Sequence, residues 1–317
     1  MAKKRKTKAK SNKSRSFWIG LSLGAILTAL IALLVVNVLQ QPQPLPRPQH
    51  AAKQTAHTKH AHRTAPTPPP VVHKAPERQP QPAITRAPQA AHPARRNHGL
   101  ALIIDDVGYD LHALRRLLQL SVPIAISVLP DAPYARQAAA LTQQYGQTLM
   151  LHLPMQPEDP SIQMSPAFLR EQMQKTELQQ TFIHDLAAVP GAIGVNNHMG
   201  SRLTQSPKHM RWVMEMCRDR QLFFVDSRTS WHTVAAKQAQ QMGLAWAERK
   251  VFLDHVMSQA SMQQAWDKVH RCLRQGLRCV IIAHPRPMSV AFLEQAITPA
   301  DAAAMVSIQQ LLQGGDR

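Results

Sequence analysis

Cysteine is scarce in this sequence, and the shortage argues against a fold stapled by disulfides. The 317 residues contain three cysteines, Cys217, Cys272 and Cys279. The odd count and their expected burial on helices and strands favour free thiols that pack as small apolar side chains. A bond between Cys272 and Cys279 is the alternative for an exported domain.

Acidic residues are also few, with 19 against 37 lysines and arginines, and their distribution is uneven. Residues 1–16 hold eight basic residues and no acid, and residues 40–98 hold nine against the single Glu77. Residues 99–317 carry 20 basic and 18 acidic residues, so the part able to fold is nearly neutral. This balance excludes a basic nucleic-acid-binding globule, and no nucleic-acid partner is expected.

Charge is absent altogether from residues 17–39, an apolar run of 23 residues. As a helix it would reach about 35 Å, enough to cross a bilayer core of about 30 Å. No small-residue cleavage site follows, so we predict an uncleaved single-pass anchor in the lipid bilayer. The positive charges of residues 1–16 predict a cytoplasmic N-terminus and a domain exported across a bacterial inner membrane.

Residues 40–98 contain 13 prolines and seven histidines together with many Gln and Ala residues. Such a composition cannot bury enough apolar surface to fold, and it predicts a disordered linker. The organisation expected is therefore a basic tail (1–16), an anchor (17–39), a linker (40–98) and a folded catalytic domain (99–317).

Seven short apolar runs alternate with helical segments from residue 99 onward, which predicts parallel strands covered by helices. We expect an α/β fold, a distorted (β/α) barrel with about seven parallel strands. The helical segments include a long one over residues 165–189. The runs cover residues 100–106, 124–130, 148–154, 192–200, 222–227, 244–254 and 278–285.

Polar residues follow the carboxyl ends of five of these runs, which meet at one mouth of a (β/α) barrel. Two histidines and a carboxylate can hold a divalent ion with an open position for water, while a second carboxylate and another histidine serve as base and acid. Such a set predicts hydrolysis of a carbonyl compound. The strand-end residues are Asp105, Asp106, His152, Asn197, His198, Asp226, Arg228 and His284.

The segments IIDDVGYD, LHLPMQP, GVNNHMGSRLT, FFVDSRTS and IIAHPRP, in this order, resemble the divergent polysaccharide deacetylase family, a distant branch of the NodB-type carbohydrate esterases. The resemblance covers essentially all of residues 99–317. It implies a distorted (β/α) barrel with an Asp-His-His metal site, usually zinc, and removal of acetyl groups from glycans.

Carried over residue by residue, the resemblance implies that Asp105 is the general base and Asp106 a metal ligand. His152 matches the first metal histidine and His284 the general acid, with Asp226 orienting that pair. Gln156 stands where the second metal histidine of the NodB pattern belongs. His198 is the candidate third ligand, from the divergent branch of the family and from its position at a strand end.

Three further residues are candidates for contact with substrate. Asn197 either touches substrate or holds its loop, Arg228 is a candidate positive group near the site, and Trp231 is a candidate platform for a sugar ring. Asp254 and His255 end the sixth run, and His255 is a candidate for lining the pocket.

The function predicted is that of a membrane-anchored, zinc-dependent hydrolase that deacetylates an envelope glycan. The alternative is a non-catalytic metal-binding, glycan-binding or scaffold protein of the cell envelope. The sequence names no protein partner.

Overall fold

The computed structural model describes residues 94–315. The predicted tail and anchor, and nearly all of the predicted linker, lie outside the described residues. Within residues 94–315 no helix combines the length and the apolar character needed to cross a bilayer.

Eight parallel strands form one sheet in the order β6-β5-β4-β3-β2-β1-β8-β7. The predicted distorted (β/α) barrel is confirmed in its coarse form, as a curved parallel sheet with helices between successive strands. The strands are β1 (Gly99–Val107), β2 (Ile124–Val128), β3 (Thr148–Met155), β4 (Gly194–Met199), β5 (Phe223–Asp226), β6 (Trp246–Glu248), β7 (Val251–Phe252) and β8 (Arg278–Ala283).

The first six α-helices of the described residues return the chain from the carboxyl end of one strand to the start of the next, and the last three follow β8. Three of these helices begin with proline in the first turn, Pro207, Pro287 and Pro299, where the missing N–H group costs no hydrogen bond. The helices are α1 (Leu111–Leu118), α2 (Ala135–Gln144), α3 (Lys175–Ala188), α4 (Pro207–Asp219), α5 (Ala235–Gln241), α6 (Gln259–Arg274), α7 (Pro287–Ala296), α8 (Pro299–Ala304) and α9 (Ile308–Leu311).

The strands are buried on both faces, and successive side chains alternate between two apolar clusters. In β1, Leu102 and Ile104 belong to the larger cluster shared with the helices, whereas Ala101 and Ile103 belong to a smaller inner cluster. The inner cluster fills the interior of the barrel up to the carboxyl ends of the strands. The polar inward-facing residues therefore lie at those carboxyl ends. Its other strand and C-terminal members are Ala125, Met150, Phe223, Val225, Ala247, Val280, Ile282, Val306, Ile308, Leu311 and Leu312.

The segment between α5 and α6, which contains β6 and β7, joins the two margins of the sheet. The N–H of Arg249 donates to Asp226 O at 2.9 Å in β5, and the N–H of the next residue, Lys250, donates to Val280 O at 2.8 Å in β8. The predicted single run 244–254 is therefore two short strands. One extended segment pairs first with β5 and then with β8, which accounts for eight strands instead of about seven.

The predicted helix over residues 165–189 is wrong in its first ten residues. The segment before α3 is extended near Leu169, whose N–H donates to Pro154 O at 2.8 Å and whose carbonyl accepts from Gln156 N at 2.9 Å. Leu169 thus lengthens the hydrogen bonding of β3, and the helix begins only at Lys175.

The expectation that Cys272 and Cys279 remain free thiols is also wrong. The two form a disulfide that ties α6 to β8, with their Cα atoms 6.1 Å apart. A tight turn at Gly276, with φ of 65°, folds β8 back beside the end of α6 and brings the pair within bonding range. Cys217 is a buried free thiol, as expected.

Asp185 on α3 is a fully buried carboxylate, and its Oδ2 has no hydrogen-bond donor among the described residues. Burial raises the pKa of Asp185 to about 8, with a further contribution from Asp131. In the unfolded chain the group ionises near pH 4, so folding at neutral pH requires protonation of this carboxyl.

We expect Asp185→Asn to stabilise the fold by roughly 2–4 kcal/mol at pH 8, because the amide needs no proton uptake. The gain is absent below pH 4, grows as the pH rises, and levels off above pH 8. Urea unfolding at several pH values measures it, with Asp267→Asn on the exposed face of α6 as the control. A gain that does not depend on pH would show that Asp185 is ionised in the folded state.

Candidate metal centre

Alternation along the strands brings one set of polar side chains to the carboxyl end of the barrel. Asp105, His152 and His198 follow the inward apolar positions of β1, β3 and β4 at intervals of two residues. They line a cavity of about 190 Å³ at this end. Its lining residues are Asp105, Asp106, His152, Asn197, His198, Met199, Ser227, Thr229, Arg249, Phe252, Ile282 and His284.

Asp105 and Asp106 are neighbours in sequence, yet both face this cavity. Neighbouring side chains of a regular strand point to opposite faces, but Asp106 has a φ of 56°. The pairing of β1 with β2 is irregular between Ile104 and Val107. The turned backbone lets β1 deliver two carboxylates to one site, and its left-handed conformation is one that aspartate tolerates better than most residues.

Asp106, His152 and His198 present one ligand atom each within 4.8 Å of one another. Asp106 Oδ1 lies 2.8 Å from His198 Nδ1 and 3.2 Å from His152 Nε2, and the two nitrogens are 3.3 Å apart. This oxygen is buried and has no hydrogen bond of good geometry within the described part of the chain. An unsatisfied oxygen facing two imidazole nitrogens is an arrangement that a divalent cation completes, and two histidines with one carboxylate suit zinc.

The charges of these groups are strongly coupled. Burial would raise the pKa of Asp106, but the adjacent His152 and His198 hold the pKa of this carboxyl well below its usual range. Burial would lower the pKa of His152, yet Asp105 and Asp106 raise that pKa to about 9. The site therefore attracts positive charge, and a proton and a metal ion compete for the same nitrogen.

Asn196, the inward residue of β4 before His198, fixes the orientation of His152. Its Oδ1 accepts from His152 Nδ1 at 2.9 Å and from the Ser127 hydroxyl. Its Nδ2 donates to Asp105 Oδ1 at 2.8 Å and to Ser227 Oγ at 3.2 Å. With Nδ1 protonated and bound to the amide, the Nε2 lone pair of His152 is directed at Asp106, as metal ligation requires.

Replacing Asn196 with alanine is expected to weaken zinc binding by about 10–100-fold, because His152 loses the group that sets its tautomer. Competition with a chromogenic chelator measures the dissociation constant. Asn97→Ala, just before β1 at the other end of the barrel, is the control that keeps the affinity. An unchanged constant in Asn196→Ala would assign the orientation of His152 to other contacts.

Asp105 is a second carboxylate, 3% exposed, beside the three ligand atoms. Its Oδ2 lies 3.7 Å from His152 Nε2. Burial raises the pKa of Asp105, and the imidazoles of His152 and His284 offset only part of this effect. A raised pKa makes a carboxylate a better proton acceptor.

His284 stands across the cavity, with its Nε2 3.6 Å from Asp106 Oδ2. Its Nδ1 donates to Asp254 Oδ1 at 2.9 Å, and its backbone N–H donates to Asp254 Oδ2 at 2.9 Å. The Ser289 hydroxyl also donates to Asp254 Oδ2, at 2.6 Å. Burial lowers the pKa of His284, but the hydrogen bond to Asp254 and the negative charges of Asp254, Asp106 and Asp105 together outweigh burial and raise the pKa.

The carboxylate that orients His284 is thus Asp254, and the role predicted for Asp226 is wrong. Asp226 is an outward residue of β5, and it holds the loop before α5. Its Oδ1 accepts from Arg228 N at 2.8 Å, and its Oδ2 accepts from Thr233 Oγ1 at 2.9 Å. Strand alternation is the signal that separates the two: Phe223 and Val225 point inward, so Ser227 does too, and Asp226 cannot.

The three predicted substrate contacts differ in position. Asn197 lines the cavity, but its amide holds two loops together by donating to Met199 O at 2.8 Å and accepting from Ser227 N at 2.9 Å. Arg228 pairs with Glu248 at 2.8 Å and is not among the lining residues. Trp231 is 90% exposed, also outside the lining.

Two functional candidates, Arg249 and Asp254, were missed from the sequence. Asn196 was considered as a residue that either holds its loop or touches substrate, but its contact with His152 was not foreseen. Asn196 lies two residues before His198 on β4, so strand alternation predicts that both side chains face the inside of the barrel. Asp254 follows the short strand β7, where only its neighbour His255 was considered. His255 is exposed and stacks beside Phe252, away from the ligand set. Asp254 and His284 are 30 residues apart in the sequence, so no local sequence pattern indicates their hydrogen bond.

Comparison with known proteins identifies the family. The profile of the divergent polysaccharide deacetylases matches residues 102–312, from β1 to the C-terminal helix α9. The chain belongs to the divergent polysaccharide deacetylase family. The resemblance drawn from the sequence segments is confirmed by this match.

Two similar proteins come from bacteria. The "Uncharacterized protein YibQ" of Escherichia coli (strain K12) is 34% identical over 198 residues, which are 62% of each protein. An uncharacterized protein of Haemophilus influenzae is 32% identical over 198 residues, 62% of this chain and 70% of that one. The chain therefore spans less than two thirds of the length of the Escherichia coli relative.

A solved structure shares the fold. The crystal structure of an uncharacterized protein from Agrobacterium tumefaciens C58 superposes with a TM-score of 0.63 and 17% identity. The match covers 68% of this chain and 89% of that one. At this identity the likeness shows the fold alone.

Proposed function

We propose that this divergent deacetylase is a zinc-dependent hydrolase that removes acetyl groups from a glycan of the cell envelope. The observation that carries the proposal is the buried, unsatisfied Oδ1 of Asp106 facing the nitrogens of His152 and His198. Membership of the family supports hydrolysis of a carbohydrate ester or amide, and the bound zinc is part of the proposal.

Asp106, His152 and His198 hold the cation in this proposal. A divalent cation supplies Lewis acidity, which lowers the pKa of water and stabilises negative charge on a carbonyl oxygen. Asp105 accepts the proton of the attacking water, since it is the second buried carboxylate at the ligand set. His284 donates a proton to the departing amine or alcohol, and Asp254 keeps its ring in place.

Acetate release and metal content test this proposal together. The full-length chain, purified in detergent with zinc, is incubated with N-acetylated and O-acetylated oligosaccharides, and acetate is measured enzymatically. We expect one zinc ion per chain and acetate release that a chelator abolishes. Metal without acetate release would replace the hydrolase with a metal-binding or glycan-binding protein, and the absence of both would indicate a scaffold.

We also propose that residues 17–39 anchor the chain in the inner membrane, with residues 1–16 in the cytoplasm and the barrel in the periplasm. The uncharged apolar run and the preceding positive charges support this topology. The Cys272–Cys279 disulfide supports it independently, because such bonds persist in oxidising compartments.

Protease treatment of spheroplasts tests the topology. We expect a tag at the C-terminus to be digested from outside while a tag at the N-terminus is protected. Protection of both tags, with reduced Cys272 and Cys279 by thiol labelling, would place the barrel in the cytoplasm.

A further inference from the structure

The cavity contains a positive charge that the proposed reaction does not use. Among the described residues that line it, Arg249 is the one lysine or arginine. Its partners are two backbone carbonyls and the ring of Phe252, and no carboxylate of residues 94–315 forms an ion pair with it. The neighbouring Arg228, by contrast, pairs with Glu248 at 2.8 Å.

The guanidinium is held rigidly by one of its edges. Nε donates to Ser227 O at 2.7 Å and Nη2 donates to Arg228 O at 2.8 Å. Two of the five N–H donors are thereby engaged, and the edge formed by Nη1 and the second hydrogen of Nη2 is left over. Two parallel N–H groups in one plane match the two oxygens of a carboxylate or a phosphate.

The surroundings of this charge compensate it only in part. Burial lowers the pKa of Arg249 and the nearby Arg228 lowers it further, whereas the negative charges of Asp105 and Asp226, neither of which forms an ion pair with it, offset part of this effect. The guanidinium lies 4.9 Å from the centre of the Phe252 ring, which compensates part of the lost hydration. A half-buried cation that is fixed on one edge and unpaired on the other is a site for an anionic ligand.

We propose that Arg249 binds an anionic group of the substrate, so that the glycan treated by this site is an acidic one, with a carboxylate or phosphate close to the acyl group. The substrate class rests on the proposed hydrolase function, whereas the binding of the anion does not. Ser227 and Thr229 line the same cavity as Arg249. The Thr229 hydroxyl donates to Met199 O at 2.8 Å, so the free edge of Arg249 is the donor group that this inference uses.

Equilibrium binding to the zinc-loaded, full-length chain tests the anion site without turnover. The probes are a neutral disaccharide of N-acetylglucosamine, a disaccharide of N-acetylglucosamine with glucuronic acid, and N-acetylglucosamine phosphate. We expect at least one acidic probe to bind about 10-fold or more tighter than the neutral one. Tighter binding of the uronic acid indicates a carboxylated glycan, and tighter binding of the phosphate indicates a phosphorylated one.

Arg249→Gln is expected to abolish this preference while the zinc content is unchanged. Arg249→Lys keeps the charge without the planar fork and should retain only part of the preference. Arg202→Gln, which removes an exposed arginine paired with Glu171 outside the cavity lining, is the matched control and keeps the full preference. If Arg249→Gln fails to fold, the three probes on the native chain and Arg249→Lys still decide.

Equal affinity of the native chain for neutral and acidic probes would overturn the inference, as would a preference that survives in Arg249→Gln. These outcomes are distinct from failure of the hydrolase proposal. An Arg249-dependent preference without acetate release leaves the anion site standing and removes the hydrolase. Acetate release together with equal affinity for the neutral and acidic probes leaves the hydrolase standing and removes the anion site.

Discussion

Replacing Asp106 with alanine is expected to remove bound zinc and to lower acetate release by about 10³-fold or more. Asp106 Oδ1 is the atom on which the ligand set converges, 2.8 Å from His198 and 3.2 Å from His152. Without it, two neutral imidazoles remain, and they bind a divalent cation much more weakly than a set that includes a carboxylate. Metal analysis after dialysis measures the first effect, and the acetate assay measures the second.

Asp159→Ala is the matched control for this variant. Asp159 is an exposed carboxylate in the loop after β3, and its removal should change neither zinc content nor turnover. Stoichiometric zinc in Asp106→Ala would mean that the ion binds elsewhere, and the centre described above would then be wrong. His152→Ala and His198→Ala provide independent checks, because each should also lower the metal content.

Asp105→Asn is expected to behave differently: the zinc stays and turnover falls by about 10²–10⁴-fold. Asparagine has the shape of aspartate and its carbonyl oxygen still accepts the hydrogen bond from Asn196 Nδ2, so the ligand set keeps its position. What it lacks is a basic oxygen for the proton of the attacking water. The measurement is turnover per zinc ion, with zinc content determined on the same sample.

Asp105→Glu is the second variant of this test, since it restores a carboxylate in a slightly altered position and should recover part of the rate. Unchanged turnover in Asp105→Asn would remove Asp105 as the base. Loss of zinc in the same variant would instead make Asp105 a ligand, and the assignment of Asp106 would need revision.

The sequence predicted the barrel well because its strands are apolar on both faces and separated by helices with clear signals. It also predicted that Asp106, His152 and His198 lie together, since carboxyl ends of parallel strands meet at one end of a barrel. The strand count differed because the run 244–254 changes hydrogen-bonding partner without any break in its hydrophobicity. A change of partner leaves no trace in a local pattern.

The errors at the site have two different physical causes. The role of Asp226 was carried over from the family resemblance, although alternation directs this strand-end residue to the outer face of β5. This error was avoidable from the sequence. The contact between Asp254 and His284 was not predictable in the same way, because it depends on the pairing of the two-residue strand β7 with β8, which no local pattern indicates.

The segment that pairs first with β5 and then with β8 also carries Arg249, and this sets a limit on how the chain can vary. Inserting one residue between Glu248 and Val251 would shift the register of β7 against β8 and turn its apolar side chains to the opposite face. The same insertion would break the hydrogen bonds that the Arg249 guanidinium donates to the carbonyls of Ser227 and Arg228. The length of this segment is therefore fixed by two requirements, the pairing of β7 with β8 and the orientation of the Arg249 side chain. Surface loops elsewhere on the molecule are not constrained in this way and tolerate insertions.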